Sequence, residues 1–426
     1  MTTLIILGII FAASFGAPLF SVFGAASLFG FHSVDIDTSA IIIQMTQLVS
    51  APALVAIPLF TFAGYMMAES KTPERLVTFS QALVGWMPGG LALVTLFACA
   101  FFTAFTGASG VTIIALGGLL YPILKKRGYK EGFSLGIVTC CGSLGLLFPP
   151  SLPLILYGII AQVDVDKLFI AGILPGIVLI ILLGIYSIIC GAKTTSRVKF
   201  SWKELGRATR AVAWELPMPL LVLAGVYGGY TTASEAAAVA AFYVFIAQVF
   251  IYKDLKIKTD VPRIMKESMV LVGAILLIVA VALGFTNFLI DQEVPMKIFD
   301  LTRKYITSQF MFLVVLNVFL LIVGCLIDIF SAIIVVVPII VPIALGYHVN
   351  PIHLGIIFLT NLEIGYLTPP FGLNLFLSSY RFKRPIAKVF IDTLPFLLIL
   401  MVALIIITYV PSLSLTLLEK FHYVTK

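Results

Sequence analysis

Long apolar runs separated by short polar joints make up almost the whole chain. A membrane-spanning helix needs about 20 predominantly apolar residues, and segments 4–29, 40–68, 133–160, 168–190, 216–230, 233–251, 268–290, 352–377 and 389–410 each read as one. The joints carry basic clusters at Lys71/Arg75, at Lys125, Lys126, Arg127 and Lys130, and across 193–210, 253–266 and 381–388. The positive-inside rule assigns all five to the cytoplasm. Joints 32–38, 164–166, 231–235 and 291–293 are acidic or neutral and fall on the opposite side. With the N-terminus cytoplasmic and the C-terminus periplasmic, every crossing alternates on one condition. Two further apolar stretches, 89–124 and 309–346, must each enter and leave on the same side.

Each therefore reads as a re-entrant helical hairpin, with two arms of roughly 16 residues that reach about 24 Å at 1.5 Å per residue. The first opens to the cytoplasm and the second outside. Short amphipathic runs before them, 76–86 and 296–307, read as arms lying along the interface, with ordinary connecting loops as the alternative. The chain divides accordingly. Residues 1–88 are scaffold helices and an arm, 89–161 the first hairpin and a broken helix, 162–308 a closing helix, linker and scaffold helices, 309–380 the second hairpin and broken helix, and 381–426 a terminal helix.

Landmarks recur in the same order in both halves. Leu135-Gly136-Ile137, Gly145-x-x-x-Pro149-Pro150 and Leu174-Pro175 are matched by Leu354-Gly355-Ile356, Gly365-x-x-x-Pro369-Pro370 and Leu394-Pro395, with 25 residues between the last two landmarks in each half. Hairpin centres Gly107-Ala108-Ser109-Gly110 and Asp328-Ile329-Phe330-Ser331 precede their proline pairs at similar distances. Because the hairpins open to opposite sides, the halves form an inverted repeat, the plan of many secondary transporters. Segment 216–230 is the extra helix that joins them.

Proline lacks an N–H and clashes with the carbonyl one turn earlier, so each Pro-Pro pair interrupts its span, near 148–152 and 368–372. In hydrocarbon, irregular backbone survives only where protein, water or a ligand satisfies its polar groups. A polar or glycine-rich hairpin tip beside a break can cage a hard cation in carbonyl and hydroxyl oxygens, and sodium suits such a cage. The candidates are Thr106, Ser109, Gly145, Phe148 and Pro150 around one ion, and Asp328, Ser331, Gly365, Thr368 and Pro370 around a second. An acid at a helix centre costs about 2.5 to 3.5 kcal/mol to insert and usually marks an ion path, which singles out Asp328. Its competing role is the cap of the returning arm. Helix N-termini at the tips and after the breaks favour an anionic substrate between the repeats; Ser151, Asn361, Glu363 and Asn374 are its candidate polar neighbours. Glu235, in Thr231-Thr232-Ala233-Ser234-Glu235, reads first as a helix-capping residue.

Composition narrows the class. With 61% hydrophobic and 11% charged residues and a mean hydropathy of +1.13, the chain is too apolar for a soluble protein of its length. The net charge of +7 lies in the topogenic clusters, which removes nucleic acid as a partner and leaves the lipid bilayer. Cys99, Cys140, Cys141, Cys190 and Cys325 all lie in apolar segments, where thiols behave as small hydrophobes. The first residues, MTTLIILGIIFAASFGA, lack a basic leader and run on into apolar sequence, so they read as a spanning helix rather than a signal peptide. No Gly-x-x-x-x-Gly-Lys-[Ser/Thr] phosphate loop is present, which leaves an ion gradient as the energy source.

Ile57-Pro58-Leu59-Phe60-Thr61-Phe62-Ala63-Gly64, Gly107 to Gly110, Lys125-Lys126-Arg127-Gly128-Tyr129, the Pro149-Pro150 segment, Thr232-Ala233-Ser234-Glu235-Ala236-Ala237-Ala238 and Asn361 to Asn374 together resemble the large membrane subunit of tripartite ATP-independent periplasmic (TRAP) transporters. The resemblance covers nearly the whole chain. It implies an all-α polytopic fold of the ion-transporter-superfamily kind, in a bacterial inner membrane, working by an elevator motion driven by sodium at about two sites. It also implies two partners, a small four-helix membrane subunit and a periplasmic substrate-binding protein. Family substrates are carboxylates such as C4-dicarboxylates and sialic acids, with sialic acid favoured here. The first tip, Phe105-Thr106-Gly107-Ala108-Ser109-Gly110, departs from a more serine-rich Gly-x-Ser-Gly-Ser pattern, which weakens the carry-over of side-chain ligands there.

Three rivals remain in view. Gly107-Ala108-Ser109-Gly110 also fits the Gly-x-Ser-Gly of an intramembrane serine protease, but the histidines, His32, His348, His353 and His422, lie at boundaries or in loops, away from the tip. A passive channel needs a continuous polar pore in place of paired hairpins and broken helices. A single-component sodium–carboxylate symporter shares the inverted-hairpin plan without a binding protein.

Overall fold

Proline sets several of the element boundaries. It leads or directly follows the start of Thr72–Val84, Pro217–Tyr227, Val294–Arg303 and Pro351–Gly365, where its fixed φ suits a first turn and its missing N–H costs nothing. Pro52 opens a 3-10 turn, Pro52–Val55, that splits the expected second span into Ser39–Val49 and Ala56–Glu69. The computed structural model describes residues 5, 7–9, 11, 12, 15, 17–49, 52–191 and 200–420, and among these it is all helix and loop. The start of the first span, residues 192–199 of the third basic cluster and residues 421–426 lie outside the described residues.

Seven described helices are long and apolar enough to cross a membrane, or up to eight when the bent pair Glu131–Leu147 and Leu152–Ala161 is taken as one span. Both hairpins form. The first runs along Gly90–Thr106, turns at Gly107 with φ +61°, and returns through Ser109–Thr112, a π-helical turn Ile113–Gly117 and Gly118–Lys126. The second pairs Gln309–Leu326 with Ile329–Gly346 across an extended Ile327–Asp328. Its arms are 18 residues each, longer than the roughly 16 expected of a shallow hairpin at 1.5 Å per residue. Helices Thr72–Val84 and Val294–Arg303 cover most of the two amphipathic runs, which are therefore helical and not loops.

Both proline pairs break their helices. The first interruption is wider than the sequence suggests: Glu131–Cys140 stops, a 3-10 turn Leu144–Leu147 and an extended Phe148 follow, and Leu152–Ala161 resumes at 45°. The second separates Pro351–Gly365 from Leu373–Phe382. Pro149–Pro150 and Pro369–Pro370 are both cis.

The halves interlock by exchanging equivalent contacts. Leu152–Ala161 packs on the second hairpin's Ile329–Gly346, and Leu373–Phe382 packs on the returning arm of the first hairpin. Val165–Gly191 lies on Pro351–Gly365, while Ile386–Tyr409 lies on Glu131–Cys140. Around this core, Asp260–Asp291 packs on Leu19–Ser33 and Ala56–Glu69, and Ala56–Glu69 also packs on Ala233–Ile246. Each repeat thus supports the other's broken helix, and neither half buries its apolar faces alone.

A buried polar cluster ties the first arm to this outer framework. Arg75 pairs with Glu215 at 2.6 Å and Asp254 at 2.8 Å, and its guanidinium lies 3.8 Å from the Tyr252 ring centroid. Thr72 donates to Glu215, Gln248 donates to Thr72, and the Tyr252 hydroxyl lies 2.8 Å from Glu215. Burial pushes the Tyr252 phenol above its usual range. In the sequence, Lys71/Arg75 carries a topology signal and nothing more. Two helices also lie outside the sequence expectations: Trp202–Ala211, whose Ser201 caps the amide of Glu204, and Ser412–Lys420, which packs on Val165–Gly191 and Pro351–Gly365. Glu235 completes a capping box with Thr232, as its spacing suggests.

Candidate functional site

The first tip and the first break are pressed together. Gly145 sits where any Cβ would run into the Ala100 carbonyl, the Ala104 amide and, at 2.6 Å, Thr103 Cβ. Only glycine lets the break approach the hairpin backbone this closely. Gly107 abuts Leu152 so closely that an added Cβ would fall 2.7 Å from Leu152 Cγ, and the tip thus rests on the helix that resumes after the break. Thr103 Oγ1 lies 2.7 Å from Thr112 Oγ1, 2.8 Å from the Cys99 carbonyl and 3.0 Å from the Gly142 carbonyl. With one proton, it donates to a carbonyl and accepts from Thr112, which links both arms of the hairpin to the break.

Two oxygens here have no hydrogen-bond partner. Thr106 Oγ1, on a residue 1% exposed, and Ser151 Oγ, on a fully buried residue, are both unsatisfied. A buried unpaired hydroxyl costs about 1 to 3 kcal/mol, so such atoms flanking a tip and a break suit an electropositive guest. Ser109 and Pro150 are buried and Phe148 half-buried around them, with Phe148 extended and its ring against Gly176.

The second tip is built on the same backbone plan with different chemistry. Gly365 approaches Gly324 of the first arm so closely that an added Cβ would fall 2.6 Å from Gly324 Cα, the counterpart of the Gly145 contact. Asp328 caps the returning arm: Oδ1 accepts from the amides of Phe330 at 3.0 Å and Ser331 at 3.1 Å, and Oδ2 accepts from Ser331 Oγ at 2.5 Å. The next amide, Ile329, donates to the Tyr366 hydroxyl at 2.7 Å, which ties tip to break. Thr368 Oγ1 donates back to the Ile364 carbonyl. Asp328, Pro369, Pro370 and Phe371 are exposed, whereas the first break is buried almost throughout.

Between the repeats, fully buried Asn374 reaches from the second broken helix into the first, donating to Ser143 Oγ at 3.3 Å and the Thr139 carbonyl at 3.4 Å. Thr139 Oγ1 donates to Ser378 Oγ at 2.8 Å. Asn374 Oδ1 and both oxygens of Glu363 have no partner, and Glu363 is fully buried within electrostatic reach of Cys140 and Cys141. Asn361 belongs to another network: its amide donates to Asn317 Oδ1 at 2.8 Å, and Asn317 donates to Thr408 at 3.2 Å. The structure thus brings Asn374 and Glu363 to the 139–143 stretch of the first broken helix, leaves Ser151 buried at the start of Leu152–Ala161, and turns Asn361 toward the terminal helix.

Thr103, Thr112, Thr139, Ser378 and Tyr366 join the site without having stood out in the sequence. The available signal was polarity: each hydroxyl lies in an apolar run within about a dozen residues of a tip or a proline pair. His353, the one buried histidine among the described residues, has its ring nitrogens at Ser414 Oγ, 3.1 Å, and the Thr408 carbonyl, 3.2 Å, so its polar contacts lie at the terminal helices and not at the first tip.

Interlocked inverted repeats with two hairpins and two broken helices define a helical membrane permease. Residues 3–413 match the family described as "Tripartite ATP-independent periplasmic transporter, DctM component". The chain is 38% identical over 366 residues to the C4-dicarboxylate TRAP transporter large permease protein DctM of Pseudomonas aeruginosa, covering 85% of this chain and 86% of that one. It is 30% identical to the ectoine TRAP transporter large permease protein TeaC of Halomonas elongata, over 97% and 98% of the two chains. It is also 30% identical to the sialic acid TRAP transporter permease protein SiaT of Haemophilus influenzae, over 84% of this chain and 58% of that protein. The fold is similar to the crystal structure of the YdaH transporter of Alcanivorax borkumensis, with a TM-score of 0.60 over 89% of each chain at 12% identity. The chain belongs to the DctM family of TRAP transporter large permeases.

Proposed function

We propose that this permease imports a carboxylate, a C4-dicarboxylate or a sialic acid, handed over by a periplasmic binding protein and driven inward by sodium. The supporting observation is the set of buried, unpartnered oxygens at the first tip and along the two breaks, Thr106 Oγ1, Ser151 Oγ and Asn374 Oδ1. Buried polar atoms persist unpaired at a cost of about 1 to 3 kcal/mol each, and a cation at the first tip would offset it. Thr106 and Ser151, with break carbonyls near Gly145, Phe148 and Pro150, would hold one ion. Asp328, with free lone pairs beyond its three hydrogen bonds, would hold the second with backbone oxygens near Gly365, Thr368 and Pro370. Substrate would lie between, near Ser151, Glu363 and Asn374. The hairpins and broken helices would slide as one body against a fixed framework to which Arg75 clamps the first arm. The chain sits in the bacterial inner membrane, N-terminus inside, with the small membrane subunit as partner.

The test is reconstitution in liposomes with the small subunit and binding protein, following labelled succinate and sialic acid with and without an inward sodium gradient. Uptake should need sodium and both partners. Sodium-independent uptake overturns the coupling, and uptake by this chain alone favours the single-component symporter. Asp328→Asn keeps an acceptor for the cap while removing the charge, so it should lose sodium-driven uptake without losing the fold. Full activity of that variant would remove Asp328 from the second ion site.

A further inference from the structure

An apolar cleft of about 500 Å³ separates the first arm and the extra helix from the first hairpin. Phe79 and Leu83 of the arm and Leu223 of Pro217–Tyr227 form one wall. Phe101 and Phe105 of the hairpin and Ile173 of Val165–Gly191 form the other, and Phe148 and Pro149 of the first break also line it. Ser80 supplies the one polar side chain among the lining residues. Leu83, Phe97, Ile177 and Ile181 are all more than a third exposed at its edge, so it opens toward the bilayer. Apart from Ser80, the lining side chains are apolar.

The same arm carries a second feature. Trp202–Ala211 packs on it and brings Lys203, Arg207 and Arg210, none of which forms an ion pair among the described residues. Glu204 and Glu74 are the neighbouring acids on these two helices, leaving cationic charge in excess. Two of the chain's three tryptophans meet here through Phe200. Trp86 at the arm's end meets Phe200 at 5.8 Å, Phe200 meets Trp202 at 4.9 Å, and Trp202 is 79% exposed, with Trp214 just beyond the helix. Tryptophan concentrates at headgroup level, and cytoplasmic cations there attract anionic lipid at about 1 kcal/mol each.

We infer that this region binds one anionic phospholipid, its headgroup at Lys203, Arg207 and Arg210 and one acyl chain in the cleft, reaching inward toward Phe148. Charge complementarity selects the anionic lipid over a zwitterionic one, and the dry lining selects an acyl chain over a polar solute. The cleft lies between the clamped arm and the hairpin, so a bound chain would fill the gap between them. The inference needs only a membrane-embedded chain and does not rest on the transport reading.

Purified full-length chain in phosphatidylcholine vesicles is doped with phosphatidylglycerol bearing a photoreactive group at one acyl end, and the label is mapped by peptide mass spectrometry. Label is expected on peptides containing Phe148 or Ile173. Replacing Lys203, Arg207 and Arg210 with Gln should lower it by roughly fivefold per cation removed, which is what about 1 kcal/mol each amounts to. Leu223→Trp, which fills the cleft, should lose the label at these peptides. Equal labelling by a phosphatidylcholine probe, no response to the triple replacement, or label spread over the lipid-facing helices would each overturn the site. So would protection of the cleft by the small membrane subunit in the assembled complex, which would make a protein its occupant.

Discussion

The two tip-and-break pairs share a backbone and differ in almost everything attached to it. Each has a glycine pressed against the hairpin's first arm, Gly145 on Ala100 and Ala104, Gly365 on Gly324, and each has a cis Pro-Pro pair. The first pair is buried, and hydroxyls and carbonyls line it. The second is exposed at Asp328 and at 369–371, and a carboxylate and a tyrosine hydroxyl organise it. The inverted repeat therefore preserves the close approach that lets a hairpin meet a broken helix, while the side chains diverge. A common scaffold carries two chemically distinct tips.

The sharpest way to break that comparison is to attack what is shared. Gly145→Val and Gly365→Val each drive a branched side chain into backbone, and overpacking against backbone costs more than the roughly 1 to 3 kcal/mol typical of a core that can yield. Both variants should fail to give a monodisperse, cooperatively melting protein in detergent. If one is tolerated, the two close approaches are not equivalent, and the repeat symmetry stops short of the sites.

A second contrast lies in the arms. Arg75→Ala strands Glu215, which is 2% exposed, and removes a partner of Asp254, so it should cost about 3 to 5 kcal/mol. In the second arm, Arg303 is exposed, and its guanidinium lies 5.9 Å from the Phe299 ring centroid. Arg303→Ala should cost under about 1 kcal/mol. Denaturant titration of both variants, each in the same detergent, decides it; equal losses would show that the first arm is no more firmly held than the second.

What the sequence made legible follows from which forces act locally. Apolar runs, basic joints and proline pairs marked the spans, the opposed hairpins and the breaks, because each is dictated by bilayer thickness or by proline's own geometry. The Arg75 cluster was not legible: Thr72, Glu215, Gln248 and Asp254 come from three distant segments, and only packing brings them together. Asn361 and Asn374 looked alike in the sequence, two asparagines near one proline pair. Their placement on opposite sides of a break directs one to Asn317 and the other to the first repeat.

Tyr366→Phe probes the second tip at a smaller scale. It removes the acceptor of the Ile329 amide, a group buried at the start of the returning arm, and should cost about 1 to 3 kcal/mol. The loss should be local, so hydrogen exchange at 329 should quicken while the amides around Gly142 keep their protection. Parallel quickening at both tips would mean that the pairs open as one unit rather than separately.

The smallest effect separates hydroxyls that hold the first tip together from those offered to an ion. Thr112→Val removes one partner of Thr103, which keeps the Gly142 carbonyl, so the cost should be near ~1 kcal/mol. Ser151→Ala removes an oxygen that bonds to nothing and should cost little or even stabilise the sodium-free protein. Their order should reverse once sodium is added. A ligand that binds the folded state raises Tm by mass action, and that rise should survive in Thr112→Val and shrink in Ser151→Ala. Thermal melts over a sodium series, with potassium as the control, read this directly. An undiminished sodium response in Ser151→Ala would take its hydroxyl out of the ion site, leaving any ion at the first tip to Thr106 and the backbone carbonyls of the break.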